Sequence, residues 1–567
     1  MQSIPLGPAH RLAALQQMAD EEFDVLIVGG GVVGAGAALD AASRGLSVAL
    51  VEARDWAAGT SSRSSKLIHG GLRYLEQRDF GLVREALTER SLLLNRIAPH
   101  LVRPVPFLLP LRHRVWERAY IGAGVLLYDT MGGARALPRH RHLTKSAALR
   151  QGPGLNPDAM VGAIQYYDAQ VDDARFTMAL ARTAAQHGAQ VATRARVTGF
   201  LRDGGRVTGA VVHDLEGDRS IEIRARRVIC ATGVWTDDVR ELANAPATVT
   251  VRASKGVHLV VPRDRIELKT GLIARTEKSV LFIIPWGRHW LIGTTDTAWD
   301  LDRNHPAASR ADIEYLLEHV NAVLNVPLTP DDIEGVYVGL RPLVSGTADE
   351  TAKLSREHIV TSPAPGLTFV TGGKFTTYRV MAKDAVDAAV ADLGPDVPAS
   401  VTDQVTVLGA ERFAALRNER RRLAQRSGLN PARVEHLLYR YGSCIYELLE
   451  LIDADRTLAE PIAGASDYLR VEAVYAASHE GALHLEDVLN RRTRIAIEET
   501  DRGIEAASEV ADLIAPILGW TPQTTHQEVE RYLGQVQAER EAESRSDDSA
   551  ADQARRAAPD LFDVVVG

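Results

Sequence analysis

Cysteine is nearly absent from this chain. Only Cys230 and Cys444 occur in 567 residues, too few for a disulfide framework or for an all-cysteine zinc or iron-sulfur site. Such sparing use is typical of a reducing compartment. Long apolar runs are missing too: nowhere do about 18 apolar residues run without charge, and the start MQSIPLGPAHRLAALQQMADEEF has no basic region ahead of an apolar core. Neither a membrane span nor a secretory signal is expected. A membrane-surface contact stays open, because it needs only an amphipathic patch. There is no basic excess either: 65 Lys and Arg stand against 74 Asp and Glu, a net charge of -9, so a nucleic-acid partner is not expected. The 17 histidines include no H-E-x-x-H, and no metal site is expected. What remains is a soluble-enzyme composition, 45% hydrophobic and 25% charged, with enough length for several folding units.

The first positive signal is a βαβ unit. Residues 24–28 (DVLIV) suit a buried parallel strand, residues 29–34 (GGGVVG) follow at once, an Ala-rich helix runs to about Arg44, and a second strand ends at Glu52. Gly29, Gly31 and Gly34 fill the G-x-G-x-x-G positions: the first permits the turn, the second lets backbone approach a pyrophosphate, and the third lets helix pack on strand. Anionic phosphates would meet the helix N-terminus. Glu52, about 20 residues on, is placed to accept from a ribose diol. NAD and FAD share this entry, so the choice between them rests on later segments. The loop 59–74 (GTSSRSSKLIHGGLRY) is dense in hydroxyls and carries Lys66, His69 and Arg73, and residues 229–233 (ICATG) end a strand in Ala231, Thr232 and Gly233, where backbone can pack near a cofactor. Two distant segments converging on one βαβ unit favour the longer FAD.

The middle of the chain reads as antiparallel sheet. Residues 190–232 form a β-meander with DGG and LEGD turns, and strand-rich text recurs at 256–262, 280–295 and 367–371, with a helical patch at 311–323. After about residue 400, segments 411–427, 431–441, 468–480 and 502–518 read as amphipathic helices. The expected fold is therefore α/β: a discontinuous doubly wound dinucleotide domain (21–100, 150–245 and 340–398), an antiparallel-sheet substrate domain (101–149 and 246–339) and an all-helical C-terminal domain (399–536). Residues 1–20 form an extension, and the polar tail 537–567 is expected to be disordered.

Residues 28–45 (VGGGVVGAGAALDAASRG), 60–76 (TSSRSSKLIHGGLRYLE), 293–296 (GTTD), 339–343 (GLRPL) and 372–382 (GGKFTTYRVMA) closely resemble the FAD-dependent sn-glycerol-3-phosphate dehydrogenases. The resemblance runs in order from about Phe23 into the helical C-terminal domain. It implies a glutathione-reductase or amino-acid-oxidase-like FAD domain, oxidation of glycerol 3-phosphate to dihydroxyacetone phosphate, and electron delivery to a membrane quinone. It also implies peripheral contact with the inner leaflet of the cell membrane from the cytoplasmic side; a homodimer is a further possibility. An oxidase using oxygen, or a non-catalytic FAD-fold recognition protein, are the alternatives.

The resemblance assigns roles to residues. Arg73, Arg341 and Arg356 would hold the phosphate and glycerol hydroxyls, with Tyr74 beside them, since guanidinium forks match phosphate geometry. His69 is the first choice of base, because an imidazole of ordinary pKa about 6.5 can accept a proton at neutral pH; His258 competes for that role and otherwise contacts substrate. Lys374, with Gly373, Phe375 and Thr376, would lie beside the flavin ring, and Thr60, Ser61, Ser62, Ser65 and Lys66 are carried over as flavin contacts. Residues 104–128 combine Arg112, Arg114 and Arg118 with Trp116, Tyr120 and apolar text, the composition either of an interfacial helix with a basic rim or of apolar residues that pack into the substrate domain.

Overall fold

The structure is a computed structural model, described over residues 4–71, 79–113, 116–131, 137–247, 249–276, 280–344, 358–394 and 396–558. Its centre is a sheet in which Glu22–Val28 lies between Val48–Val51 and Arg219–Cys230, parallel to both, with Gln190–Ala192 beyond one neighbour and Leu367–Gly372 beyond the other. The strand is buried on both sides because its alternate residues serve two cores. Val25 and Ile27 face the helices Val32–Ser43, Asp173–Gln186 and Tyr378–Val390, while Leu26 and Val28 face the meander Ala195–Asp203, Arg206–Asp214 and Arg219–Cys230. The expected meander is present. The N-terminal extension forms the helix Pro8–Asp20, which buries Leu15 and Met18 against this second core.

A second sheet is built mainly of antiparallel pairs. Val251–Pro262 pairs with Gly335–Val344 and with His289–Gly293, and the sheet continues through Val280–Trp286, Gly271–Arg275, Val102–Leu111 and Gly162–Val171. This moves two expected boundaries: Gly162–Val171, and the part of Gly335–Val344 from Leu340 on, were expected in the dinucleotide domain and pair in the substrate sheet. An apolar strand does not declare in its sequence which sheet it joins, and here backbone pairing over ten residues with Val102–Leu111 decided it. The expected interfacial segment 104–128 is likewise corrected. Its first part is that same Val102–Leu111 strand, alternating Pro104, Pro106 and Pro110 with buried residues, and only Trp116–Met131 is helical.

The helical C-terminal domain packs around two apolar clusters. Charged contacts join it to the dinucleotide domain: Asp55 accepts from Arg491 and Arg492, Asp172 and Asp173 both accept from Arg494, and Glu480 takes Arg175. The tail departs most from expectation. Helices Pro522–Ser544 and Asp548–Arg555 carry it to residue 558 as ordered structure, because Ala542, Ala551 and Ala554 find an apolar surface on the substrate domain.

One contact between domains is pH-sensitive. His484 Nε2 meets Glu216 at 3.0 Å and Nδ1 meets Glu528 at 3.2 Å, and these carboxylates raise the imidazole from 6.5 to about 10 against its burial. Glu216 is lowered in turn to about 2, hydrogen bonding and charge from His484 overcoming the larger opposing effect of burial. The histidine's contribution to stability is complete below 6.5 and is lost as pH rises through about 10. His484→Gln is therefore expected to lower the melting temperature clearly at pH 6 and much less at pH 10; a pH-independent difference would refute this.

Candidate active site

The strand–turn–helix at 28–34 opens a cavity of about 880 Å³ that continues to the substrate sheet. Gly29 takes φ +112°, and a Cβ there would press on the backbone of Ala231. A Cβ on Gly34 would run into the carbonyl of Gly29, so this third glycine packs helix on strand as expected and does not line the cavity. Gly29, Gly31, Val32 and Val33 bring the helix N-terminus to the wall, and Ser61 Oγ accepts from Val32 N at 2.9 Å. Glu52 lies at one end beside residues 195–197, its carboxylate accepting from Gly30 N at 2.5 Å and Arg54 N at 2.7 Å. Burial pushes this carboxyl up, and the two backbone donors oppose that.

The other end gathers residues from segments as far as 307 positions apart. His69 sits beside the 373–376 turn, its N–H donating to Thr376 Oγ1 at 3.2 Å and its ring edge-on to Phe282. His258 projects from Val251–Pro262, stacks on Tyr337 at 4.6 Å and meets Ser65 Oγ through Nε2 at 2.8 Å. Burial foremost, with the charges of Arg341 and Lys66, holds His258 well below its ordinary pKa, so its imidazole is neutral. Arg341 comes from Gly335–Val344. Its Nη2 donates to Thr294 Oγ1 at 2.9 Å and Thr295 O at 3.2 Å, and its Nη1 reaches Ser254 Oγ, Asp296 Oδ1 and Lys255 O at 3.4 to 3.5 Å.

Most of the expected residues therefore meet on one cavity: Gly29, Gly31, Glu52, Thr60, Ser61, Ser65, His69, Ala231, Thr232, Gly233, His258, Arg341, Gly373, Lys374, Phe375 and Thr376 all line it. Two do not. Lys66 is fully buried on the far side of its loop, donating to Asp173 Oδ1 at 2.9 Å and Ser62 O at 3.0 Å. Burial and neighbouring Arg494 lower it to about 8, although Asp173 opposes this. Ser62 is buried with it and gives only its carbonyl to Lys66 and Arg494. Both are corrected from cofactor contacts to parts of a buried ion cluster that props the loop from behind. Arg73, Tyr74 and Arg356 lie outside the described residues. Tyr337, which stacks on His258 and donates to Ser64 O at 3.0 Å, was not foreseen, and neither was Thr294, although its GTTD motif was visible.

Comparison with known proteins agrees with this geometry. Residues 24–388 match the family model described as FAD dependent oxidoreductase, and residues 400–525 match that of the C-terminal domain of alpha-glycerophosphate oxidase. Glycerol-3-phosphate dehydrogenase 2 of Mycobacterium tuberculosis (strain ATCC 25618 / H37Rv) is 56% identical over 555 residues, covering 98% of this chain and 95% of that protein. The chain belongs to the FAD-dependent glycerol-3-phosphate dehydrogenase family. Other family members span a wide range: the mitochondrial glycerol-3-phosphate dehydrogenase of Homo sapiens is 36% identical over 92% of this chain and 74% of its own length. The crystal structure of the glycerol-3-phosphate dehydrogenase from Bacillus halodurans complexed with FAD superposes with a TM-score of 0.78 at 28% identity, covering 94% of this chain and 98% of that one.

The cofactor of this flavoenzyme is FAD, and the residues present fit it. The cavity has the volume of a large ligand site, the glycines leave room for phosphate against the helix N-terminus, and Thr232 Oγ1 is buried with no hydrogen-bond partner among the described residues. Gly29 to Val33 would hold the pyrophosphate, Glu52 the ribose, and the 373–376 turn the ring.

Proposed function

We propose that the protein oxidises sn-glycerol 3-phosphate to dihydroxyacetone phosphate and passes the electrons to a membrane quinone. The observation that carries this is the meeting of one braced arginine, Arg341, with two histidines and Lys374 at one end of a dinucleotide cavity. Bound FAD supplies the acceptor for the C2 hydride. Arg341 holds the substrate phosphate: Thr294 Oγ1 and Thr295 O set its guanidinium at the cavity wall, and a guanidinium fork matches phosphate geometry. His69 takes the proton of the C2 hydroxyl, the step an imidazole performs at neutral pH. Neutral His258 keeps the Ser65 hydroxyl oriented. Lys374 adds positive charge beside the ring site, where preorganised charge stabilises developing anion. The names of the relatives support the substrate.

The electron path rests on a surface. Among the described residues no helix is long and apolar enough to cross a membrane, but Trp116–Met131 leaves Trp116, Tyr120, Leu126 and Leu127 exposed while Ile121, Val125 and Tyr128 anchor its other face. Aromatic and aliphatic side chains beside exposed Arg112 suit an interfacial contact. The deciding experiment is anaerobic addition of glycerol 3-phosphate to the yellow holoenzyme. Bleaching by this substrate, but not by glycerol, followed by reoxidation faster with a quinone than with air, is the expected result. A flavin spectrum that never bleaches refutes the substrate, and reoxidation by air as fast as by quinone refutes the acceptor.

A further inference from the structure

The last described segment lies beyond residue 525, where the match to the C-terminal family model ends, and it makes contacts that the mechanism above does not use. In the helix Asp548–Arg555, Asp548 Oδ1 accepts from Lys255 Nζ at 2.5 Å and from Ser309 Oγ at 3.0 Å. Lys255 is fully buried, and its other carboxylate is Asp312, also at 2.5 Å. A buried ammonium requires such counter-charge, and here the tail provides part of it. Lys255 stands in the stretch of Val251–Pro262 that floors Arg341. The Ser254 hydroxyl and the Lys255 carbonyl both accept from Nη1, and a Cβ on Gly256 would meet Nη2 at 2.6 Å. Ser254 also donates to Asp296, which itself contacts Arg341. The apolar side of the tail adds a second attachment: Ala542, Ala551 and Ala554 pack with Ala253, Trp299 and Leu340, the residue preceding Arg341. A third runs toward the other end of the cavity. Arg555 Nη2 meets His305 Nδ1 at 3.1 Å, and His305 Nε2 meets Arg54 Nη2 at 3.0 Å, beside Glu52.

We propose that this tail helix is a clasp that sets the position of Arg341, with Asp548 as its positioning residue acting through Lys255. The proposal rests on the reading of Arg341 as the phosphate anchor. With Asp548 neutralised, Lys255 is drawn to Asp312 alone and the 254–256 backbone is freed to shift under the guanidinium. Because a second carboxylate remains, the effect is a loss of substrate alignment rather than collapse. Asp548 is 34% exposed, so an isosteric amide is accommodated.

The test uses the full-length holoenzyme with Asp548→Asn, Asp548→Glu and Ala551→Arg, the last lifting the apolar face. Asp548→Asn is expected to raise KM for glycerol 3-phosphate about fivefold, with kcat changed by less than about twofold and FAD content unchanged. Asp548→Glu should return KM toward that of the parent, and Ala551→Arg should raise it at least as far as Asp548→Asn does. A lower melting temperature with unchanged KM in Asp548→Asn would mean that the tail only stabilises the fold, and would overturn the proposal. Should Ala551→Arg fail to fold, Asp548→Asn decides alone. If Arg341→Ala leaves KM unaltered, the anchor reading has failed; if Arg341→Ala raises KM while Asp548→Asn does not, only the clasp has failed.

Discussion

Arg341→Ala is expected to lower kcat/KM for glycerol 3-phosphate about a hundredfold, mainly through KM, since a charge-assisted contact to a dianionic phosphate in a part-buried site is worth a few kcal/mol. The guanidinium is 23% exposed, with Nη2 donating to Thr294 and Thr295 and Nη1 reaching Ser254, Asp296 and Lys255. It is thus oriented before substrate arrives, so little side-chain entropy is lost on binding. Arg341→Lys should recover only part of the activity, because an ammonium cannot form the bidentate fork. The residual turnover of the alanine variant should approach that of unphosphorylated glycerol. Steady-state kinetics with both substrates checks this; an alanine variant of normal KM would remove Arg341 from the phosphate site.

His69→Gln is expected to lower the rate of anaerobic flavin reduction about a thousandfold while FAD stays bound, the scale of losing a positioned general base. The neighbouring backbone is held by Thr376, whose hydroxyl accepts from His69 N at 3.2 Å, so the variant keeps the loop in place while losing the proton acceptor. His258→Gln should cost far less, about tenfold, since His258 is stacked on Tyr337 and engaged with Ser65. Stopped-flow bleaching of the two variants distinguishes them. If His258→Gln shows the larger loss, the base has been assigned to the wrong imidazole.

Both predictions concern residues that were visible in the sequence as parts of motifs, but the motifs did not say which way each side chain faced. In the loop 60–69, Thr60, Ser61, Ser65 and His69 line the cavity, whereas Ser62 and Lys66 turn inward. Nothing local separates them. Asp173, the partner of Lys66, lies 107 positions away, and Arg494, which shares that carboxylate, is 321 positions from it.

The sequence by itself determined the βαβ entry, the three glycines and Glu52, because these depend on spacings within about 25 residues that only a strand, tight turn and helix satisfy; the family followed from the resemblance of five motifs between residues 28 and 382. It also determined the meander, through alternation and turn residues. Tertiary structure alone decided that Gly162–Val171 and residues 340–344 join the substrate sheet, that the loop lysine is structural, and that the tail is ordered to residue 558. The tail shows the reason most clearly. Its text is polar enough to look solvated, and its few alanines form no core of their own. A surface presented by Ala253, Trp299 and Leu340, together with a buried lysine in need of counter-charge, turns it into an ordered helix.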